Sequence, residues 1–353
     1  MPTSLRLSVV VPCRNAEASL ADALRSVLAS DIARQSYEVI VVDDGSTDAC
    51  QAIAARHADT LIRLGAGRRG PAYARNRGAE LARGDVIAFV DADVRVRPDT
   101  LSRMLALMAQ QPTIDAVSAG YDDHPSVPGL ASQYWNLLLH LRTQRAGVAP
   151  GQFMAACGAV RRGAFFAVGM FNEWHFRDRL EDVELGHRLA EMGHETVLVR
   201  GIQVAHLKRW TVGGIVSEMW GRSLELARCL TFERARSLAS SEMVHTFITL
   251  GAFGVATAAT VEPAPGWPVT VSVAVLMLLI ADRALFGFFL RRRGLGFALA
   301  IVPLHVLTQL VGAAAVASGW ILRHTIGDPM PDPTTQAYAE VGVDVWPPVP
   351  RRR

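Results

Sequence analysis

Short runs of β-branched and apolar residues recur near the start of this chain, at 7–12, 38–44, 60–64 and 85–91. Each is too short for a helix and lacks polar alternation, so each reads as a strand buried on both faces. Between and after them apolar residues return at helical spacing. Leu20, Leu24, Val27 and Leu28 share one face, and Leu101, Met104, Leu105 and Met108 share another. A βαβα series of this kind predicts an α/β fold, a mostly parallel sheet flanked by helices. In such sheets ligands bind beyond the carboxyl ends of the strands. That is where the segments "PCRN", "DDGS" and "DAD" fall.

Composition limits the rest. Of 353 residues 50% are hydrophobic, yet 20% are charged. That mixture joins a soluble-type domain to membrane segments. A net charge of +3, with no arginine stripe interleaved with aromatics, argues against nucleic acid as a partner. Cys13, Cys50, Cys157 and Cys229 form no C-x-x-C pair, which argues against zinc and against a disulfide framework. The N-terminal apolar run is too short for a signal peptide, so the front of the protein is expected in the cytoplasm.

After Trp210 the pattern changes. Residues 211–242 are amphipathic, with Ile215, Met219, Trp220 and Leu224 set against Glu218, Arg222 and Glu225. They lie either at a membrane interface or packed on the preceding domain. Three apolar stretches follow, at 243–261, 266–290 and 295–322, each long enough to cross a bilayer as a helix. Arg234 and Arg236 precede the first and Arg291, Arg292 and Arg293 follow the second. The positive-inside rule puts both clusters in the cytoplasm and predicts a multi-pass inner-membrane protein. Pro303 is positioned to break the third span. Asp282 and Arg283 interrupt the second, and there mutual neutralisation with snorkelling of Arg283 is the simpler reading over a substrate path. The tail 323–353 reads as disordered.

The carboxylates carry the chemistry. Mg2+ and Mn2+ bind carboxylate oxygens together with substrate phosphates. Asp91 and Asp93 face the same way if the strand is still extended there. Asp93 would then be a direct ligand, with Asp91 orienting the ribose or a metal-bound water. A plain polar turn at the strand end is the alternative.

In order and spacing, "SVVVPCRNAEASL", "EVIVVDDGSTDAC" and "GPAYARNRGAELARGDVIAFVDADVRVRPDTL" resemble the nucleotide-binding half of the inverting GT-A glycosyltransferases. That group includes cellulose synthase-like and dolichyl-phosphate sugar synthases, and the resemblance covers roughly residues 1–210. It implies that Pro12, Arg14 and Asn15 line the base and ribose pocket, and that Asp44 accepts a hydrogen bond from the base. It implies that Arg75 and Asn76 lie near the nucleotide, although helix capping is a rival role for Asn76. It makes Asp91 and Asp93 the metal motif.

The second half extends the resemblance. "FMAACGAVRRGAFFAVGMFNE" is similar to the family's acceptor-side strand and helix, and "FRDRLEDVELGHRLAEMGHETVLV" contains its Glu-Asp pair. The Asp of that pair, Asp182, would be the general base for direct displacement; a helix-capping Asp is the alternative. Glu181 would be a mere neighbour, or one that orients Asp182 or an acceptor hydroxyl. "HLKRW", residues 206–210, resembles the Q-x-x-R-W signature of processive members, with His206 in place of glutamine, which argues against polymerisation. His206 is either a further metal ligand or a structural residue. Arg209 suits a diphosphate, since a guanidinium pairs with phosphate oxygens bidentately.

The expectation is a membrane-bound inverting glycosyltransferase using Mg2+ or Mn2+. Its donor would be a nucleotide-sugar, with UDP as the expected nucleotide, and its acceptor a polyprenyl-phosphate, lipid-linked oligosaccharide or glycolipid. A soluble acceptor and a non-catalytic binding module are the alternatives. A sugar-1-phosphate nucleotidyltransferase is disfavoured because no glycine-rich loop follows the first strand.

Overall fold

The computed structural model describes residues 6–65, 67–145, 151–174, 179–229, 276 and 279–327. They fall into two compact units. The first holds a sheet of strands β1 (Leu7–Cys13), β2 (Tyr37–Asp43), β3 (Thr60–Arg63), β4 (Val86–Val90), β5 (Val94–Arg95), β6 (Ile114–Tyr121), β7 (Cys157–Arg161) and β8 (Glu195–His206). Their order across the sheet is β3-β2-β1-β4-β7-β6-β8-β5.

The first four strands in that order pair in parallel, as the βαβα pattern predicts. Beyond β4 the sheet is mixed: β7 runs antiparallel between β4 and β6, β8 is parallel to β6, and β5 is antiparallel to β8. One of the expected doubly buried strands is not so. β3 lies at the sheet edge, and none of its residues is fully buried.

Side chains alternate across the parallel strands, and each face is covered by its own helices. Val9, Val11, Val39 and Val41 pack against α1 (Glu17–Leu28), α2 (Cys50–His57) and α4 (Thr100–Gln110) through Leu20, Leu24, Cys50, Ala54, Leu101 and Met104. Val10, Ile40, Val42, Ile87 and Phe89 pack against α3 (Pro71–Leu81), α6 (Arg162–Ala167) and α7 (Glu181–Glu191). Gly78 allows α3 to lie directly on the sheet. A Cβ there would stand 2.4 Å from Val10 Cγ1, closer than packed atoms can approach. On α7 Leu185 and Leu189 are buried, and Met192 lies beyond the helix and is exposed.

The second unit contains the first part of α5 (Leu130–Arg145), α8 (Val212–Cys229), α9 (Arg283–Ala300) and α10 (Val302–Ile326). α8 packs along α10, with Met219 and Ser223 approaching Gly312, while Trp220 lies on its exposed face. α9 kinks at Gly294, and Pro303 begins α10, so stretch 295–322 is divided between two helices. Among the described residues one helix, α10, is long and apolar enough to cross a membrane. Stretch 243–261, much of 266–290 and the tail from 328 lie outside the described residues.

Asp282 is not neutralised by its neighbour Arg283. It is buried, and its Oδ2 lies 2.8 Å from His305 Nε2. His305 Nδ1 and Thr308 Oγ1 each lie 3.0 Å from the Tyr134 hydroxyl. A polar chain thus ties α5, the start of α9 and α10 together inside an apolar bundle. Nearby, Trp210 is buried, stacked on Trp135 and held through its backbone N–H and C=O by Ser132.

Candidate active site

The carboxyl ends of β1 and β2 are laced into one surface. Asn15 adopts a left-handed backbone, which asparagine tolerates. Its Oδ1 accepts the Thr47 N–H at 2.9 Å, and its own N–H donates to Ser46 Oγ. Arg14 is exposed, with Nη1 on the Asp44 carbonyl at 3.0 Å. Pro12, the last residue but one of β1, is partly exposed. Asp44 is buried, and its two oxygens accept the backbone N–H groups of Arg69 and Gly70 at 2.7 and 2.9 Å. It therefore anchors the loop that opens α3, a job the sequence did not disclose.

From α3, Arg75 and Asn76 point inward, and Asn76 lies within the helix, not at a cap. Asn76 is 1% exposed and ties α3 to the loop at Phe171 and Glu173 by three hydrogen bonds. Arg75 is also buried; Nη2 donates to Asp91 Oδ1 at 2.7 Å and Nη1 to Glu181 Oε1 at 2.6 Å. It is a strut between the two acidic motifs. Burial opposes its charge, yet Asp91 and Glu181 outweigh burial and hold the guanidinium above its ordinary range.

The Asp91-Ala92-Asp93 segment is not extended. β4 ends at Val90, and the Val94 N–H returns to the Asp91 carbonyl at 3.0 Å, closing a turn. β5 then pairs with β8, setting Val94 opposite His206. Asp93 Oδ2 consequently lies 3.7 Å from His206 Nε2. Burial would raise the Asp93 carboxyl, but His206 and Lys208 hold it below its ordinary value. Asp91 behaves oppositely: burial, with the charges of Asp93 and Asp182, overcomes Arg75 and raises it.

Asp182 reaches the same centre from α7. The backbone on either side of one peptide joins the motifs: the Ala156 carbonyl accepts the Asp91 N–H at 3.0 Å, and the Ala155 N–H approaches Asp182 Oδ2 at 3.4 Å. Asp182 stands in the first turn of α7, where Oδ1 also accepts the Val183 N–H. α7 is entered through Leu180 in a left-handed conformation, a costly geometry for leucine. The helix is seated by Gly186, whose Cβ would fall 2.2 Å from the Gly151 carbonyl. Glu181 is no passive neighbour. It is buried against Arg75, and its carboxyl is pushed up to about 7 by burial, despite Arg75 and with help from Asp182.

Tyr121, at the end of β6, is a member of this centre that periodicity did not reveal. Its ring stacks on His206 at 4.8 Å, and its carbonyl is held by His140 Nδ1. Burial, then the charges of Asp91, Asp93 and Asp182, push its hydroxyl well above the usual phenol range. Arg209 is exposed at the end of the strap that follows β8 and makes no ion pair or hydrogen bond among the described residues.

Among the described residues no three His, Cys, Asp or Glu side chains form a ready-made metal cluster. The donor set still fits a hard divalent cation whose remaining positions are filled by phosphate and water. Asp93 and His206 converge, Asp91 keeps an oxygen beyond its bond to Arg75, and the acidic groups outnumber the buried guanidinium between them.

Comparison with known proteins agrees with this geometry. Residues 8–168 match the family described as Glycosyl transferase family 2. The succinoglycan biosynthesis protein ExoO of Rhizobium meliloti (strain 1021) is 43% identical over 101 residues, 28% of this chain and 28% of its own length. A validoxylamine A glucosyltransferase of Streptomyces hygroscopicus subsp. limoneus is 30% identical over 235 residues, 57% of this chain and 52% of its own. The chain thus spans roughly half or less of these curated relatives. The solved mannosyltransferase of Pyrobaculum calidifontis, in complex with GDP-Man and Mn2+, superposes with a TM-score of 0.54 at 20% identity. That superposition covers 91% of this chain and 87% of the other, and the likeness is one of fold. From its motifs, its sheet and these matches, the chain carries, over residues 8–168, a glycosyl transferase family 2 domain with the GT-A fold.

Proposed function

We propose that this protein is an inverting, metal-dependent glycosyltransferase that takes a sugar from a nucleotide-sugar and delivers it to a membrane-associated acceptor. The observation that carries the reading is the convergence of Asp91, Asp93 and Asp182 on one centre, cross-braced by Arg75 and Glu181. Asp182 is the general base: it removes the proton of the acceptor hydroxyl as that oxygen attacks the anomeric carbon. The nucleoside diphosphate leaves from the opposite face, where Arg209 pairs with its oxygens. Asp93, His206 and Asp91 would hold Mg2+ or Mn2+, which when bound offsets the negative charge of the diphosphate. Pro12, Arg14 and Asn15 form the wall for base and ribose; the Asp44 carbonyl holds Arg14, and its carboxylate holds the loop at Arg69 and Gly70. Arg75 acts by positioning.

A membrane-side acceptor is supported by the helical unit. The most apolar 18 residues of α10 have a mean hydropathy of 1.4, and Leu295, Leu299, Trp320 and Ile321 are exposed. The basic cluster Arg291–Arg293 suits an inner membrane with the catalytic domain on the cytoplasmic side. The further spans at 243–261 and 266–290 belong to the same proposal. A soluble acceptor is the second reading, favoured by the 30% identical relative named for validoxylamine A. For the donor, a UDP-sugar is the first candidate. GDP-mannose is the second, since the structural neighbour was solved with GDP-Man.

The test is a panel of UDP- and GDP-sugars offered to the detergent-solubilised full chain, with Mn2+ or with chelator. Release of nucleotide that needs the metal and disappears in Asp93→Ala and Asp182→Asn is the expected result. Undiminished turnover in chelator would remove the metal from the reading, and binding without any turnover would favour the non-catalytic module.

A further inference from the structure

We infer that the helical unit contains a proton-binding site: the buried network of Asp282, His305, Tyr134 and Thr308 holds one hydrogen more than a carboxylate, a neutral imidazole and two hydroxyls supply. The Asp282–His305 pair carries it.

Four close contacts make up the network, and each needs a hydrogen between its two partners. Asp282 Oδ2 lies 2.8 Å from His305 Nε2, and His305 Nδ1 lies 3.0 Å from the Tyr134 hydroxyl. That hydroxyl lies 3.0 Å from Thr308 Oγ1, which in turn donates to the His305 carbonyl at 2.7 Å. A carbonyl only accepts, so the Thr308 hydrogen is used there. Tyr134 must then donate to Thr308, and its oxygen is left to accept from His305 Nδ1–H. A neutral imidazole has now used its one hydrogen, yet Nε2 still faces Asp282. The fourth contact therefore holds an added proton, either on Nε2 as an imidazolium beside a carboxylate or on Asp282 itself.

Burial gives the proton its consequence. All four residues are buried, and the rings of Phe286 and Phe289 pack on His305 and Tyr134 at 5.2 and 6.0 Å. With the proton the pair is neutral as a whole. Without it two acceptors meet face to face, and a net negative charge is left in an apolar bundle, which is costly. The tie between α5, α9 and α10 is thus firm while the proton is held and weakened when it leaves.

Neighbouring groups leave the count unchanged. Gln309 Nε2, 3.5 Å from the same Asp282 oxygen, brings its own hydrogen. Arg283 follows Asp282 and is exposed. On α8, packed along α10, Glu218, Arg222 and Glu225 are half-buried. Arg291, Arg292 and Arg293 lie further along α9, and Arg323 and His324 in the last turn of α10. A bond from any of these to a member of the network needs a hydrogen of its own and places none within the four contacts.

The experiment is nuclear magnetic resonance of the full-length, detergent-solubilised protein with 15N in its histidine rings, at pH 7.5, where a free imidazole is about nine-tenths neutral. His305→Asn assigns the signal. The expected result is a His305 ring with both nitrogens protonated, or a singly protonated ring together with a protonated-carboxyl infrared band that Asp282→Asn removes. In Thr308→Val, valine keeps the shape but removes the hydroxyl. Tyr134 can then donate to Nδ1, two contacts need two hydrogens, and His305 should be neutral with Asp282 ionised. Tyr134→Phe removes the same demand and serves if the valine variant does not fold. Tm of wild type should fall more steeply from pH 6.5 to 8.5 than that of either variant, with Glu181 common to all three. A neutral His305 beside an ionised Asp282 in wild type would overturn the inference, as would the same ring state in wild type and in the folded variant.

Discussion

The carboxylate of Asp44 accepts the backbone N–H of Gly70 at 2.9 Å, at the residue that caps α3. It thereby places a negative charge at the positive end of that helix and fixes the loop facing the nucleotide wall. Asp44→Asn keeps the shape but leaves one acceptor oxygen for two N–H donors. The expected outcome is weaker UDP or GDP binding by calorimetry, with a loss of about 1 kcal/mol in stability, the usual scale for a missing cap. The rate of transfer at saturating donor should change less than the affinity does.

Glu181 makes stability depend on pH. Its carboxyl is raised from 4.5 to about 7, chiefly by burial, so between those values the folded protein binds a proton that the unfolded chain has released. Folding stability therefore falls as pH rises through that window, and the contribution is flat on either side. Glu181→Gln retains an acceptor for Arg75 and removes the titration. Denaturation midpoints measured from pH 4.5 to 8 should decline less steeply in Glu181→Gln than in wild type.

Gly186→Ala tests how tightly α7 is seated. Alanine favours a helix by about 1 kcal/mol over glycine. Here its methyl would meet the Gly151 carbonyl at 2.2 Å and the Phe153 nitrogen at 2.8 Å. Backbone cannot yield as a flexible side chain does, so overpacking of about 1–3 kcal/mol wins. Tm should drop, and transfer should drop further, because Asp182 rides on the displaced helix.

In the helical unit, Asp282→Ala leaves His305 Nε2 buried without its carboxylate. A loss of about 1–3 kcal/mol is expected. Replacing both partners, Asp282→Leu with His305→Leu, should recover much of it, since Tyr134 still has Thr308 Oγ1 at 3.0 Å. Thermal unfolding of wild type, Asp282→Leu, His305→Leu and the double variant in one detergent measures the cycle, and strict additivity would argue against a linked pair.

The strands and their acidic exits were legible in the sequence because apolar run length and turn chemistry are local signals. Asp91 and Asp93 could be singled out for the same reason, and Asp182 through the resemblance of its Glu-Asp pair to that of the GT-A glycosyltransferases. What was not legible depends on long-range approach. Tyr121 ends an ordinary apolar strand, and only the β6–β8 pairing brings it onto His206. Asp282 was read with its neighbour Arg283, but its partner His305 is 23 residues away, on the next helix. Arg75 and Glu181 are separated by 106 residues, so nothing in either motif announces that one guanidinium serves both. The mixed half of the sheet was hidden likewise, since strand direction after β4 is set by which strand β7 returns to.

That shared guanidinium makes the two halves of the centre thermodynamically conversant. Arg75 divides its attraction between Asp91 and Glu181, so whatever alters the charge at Asp91 alters the pull on Glu181, next to the proposed base. Donor occupancy should therefore tune acceptor affinity, and by reciprocity acceptor occupancy should tune donor affinity by the same factor. The order in which the two substrates arrive would then be a property of one buried side chain.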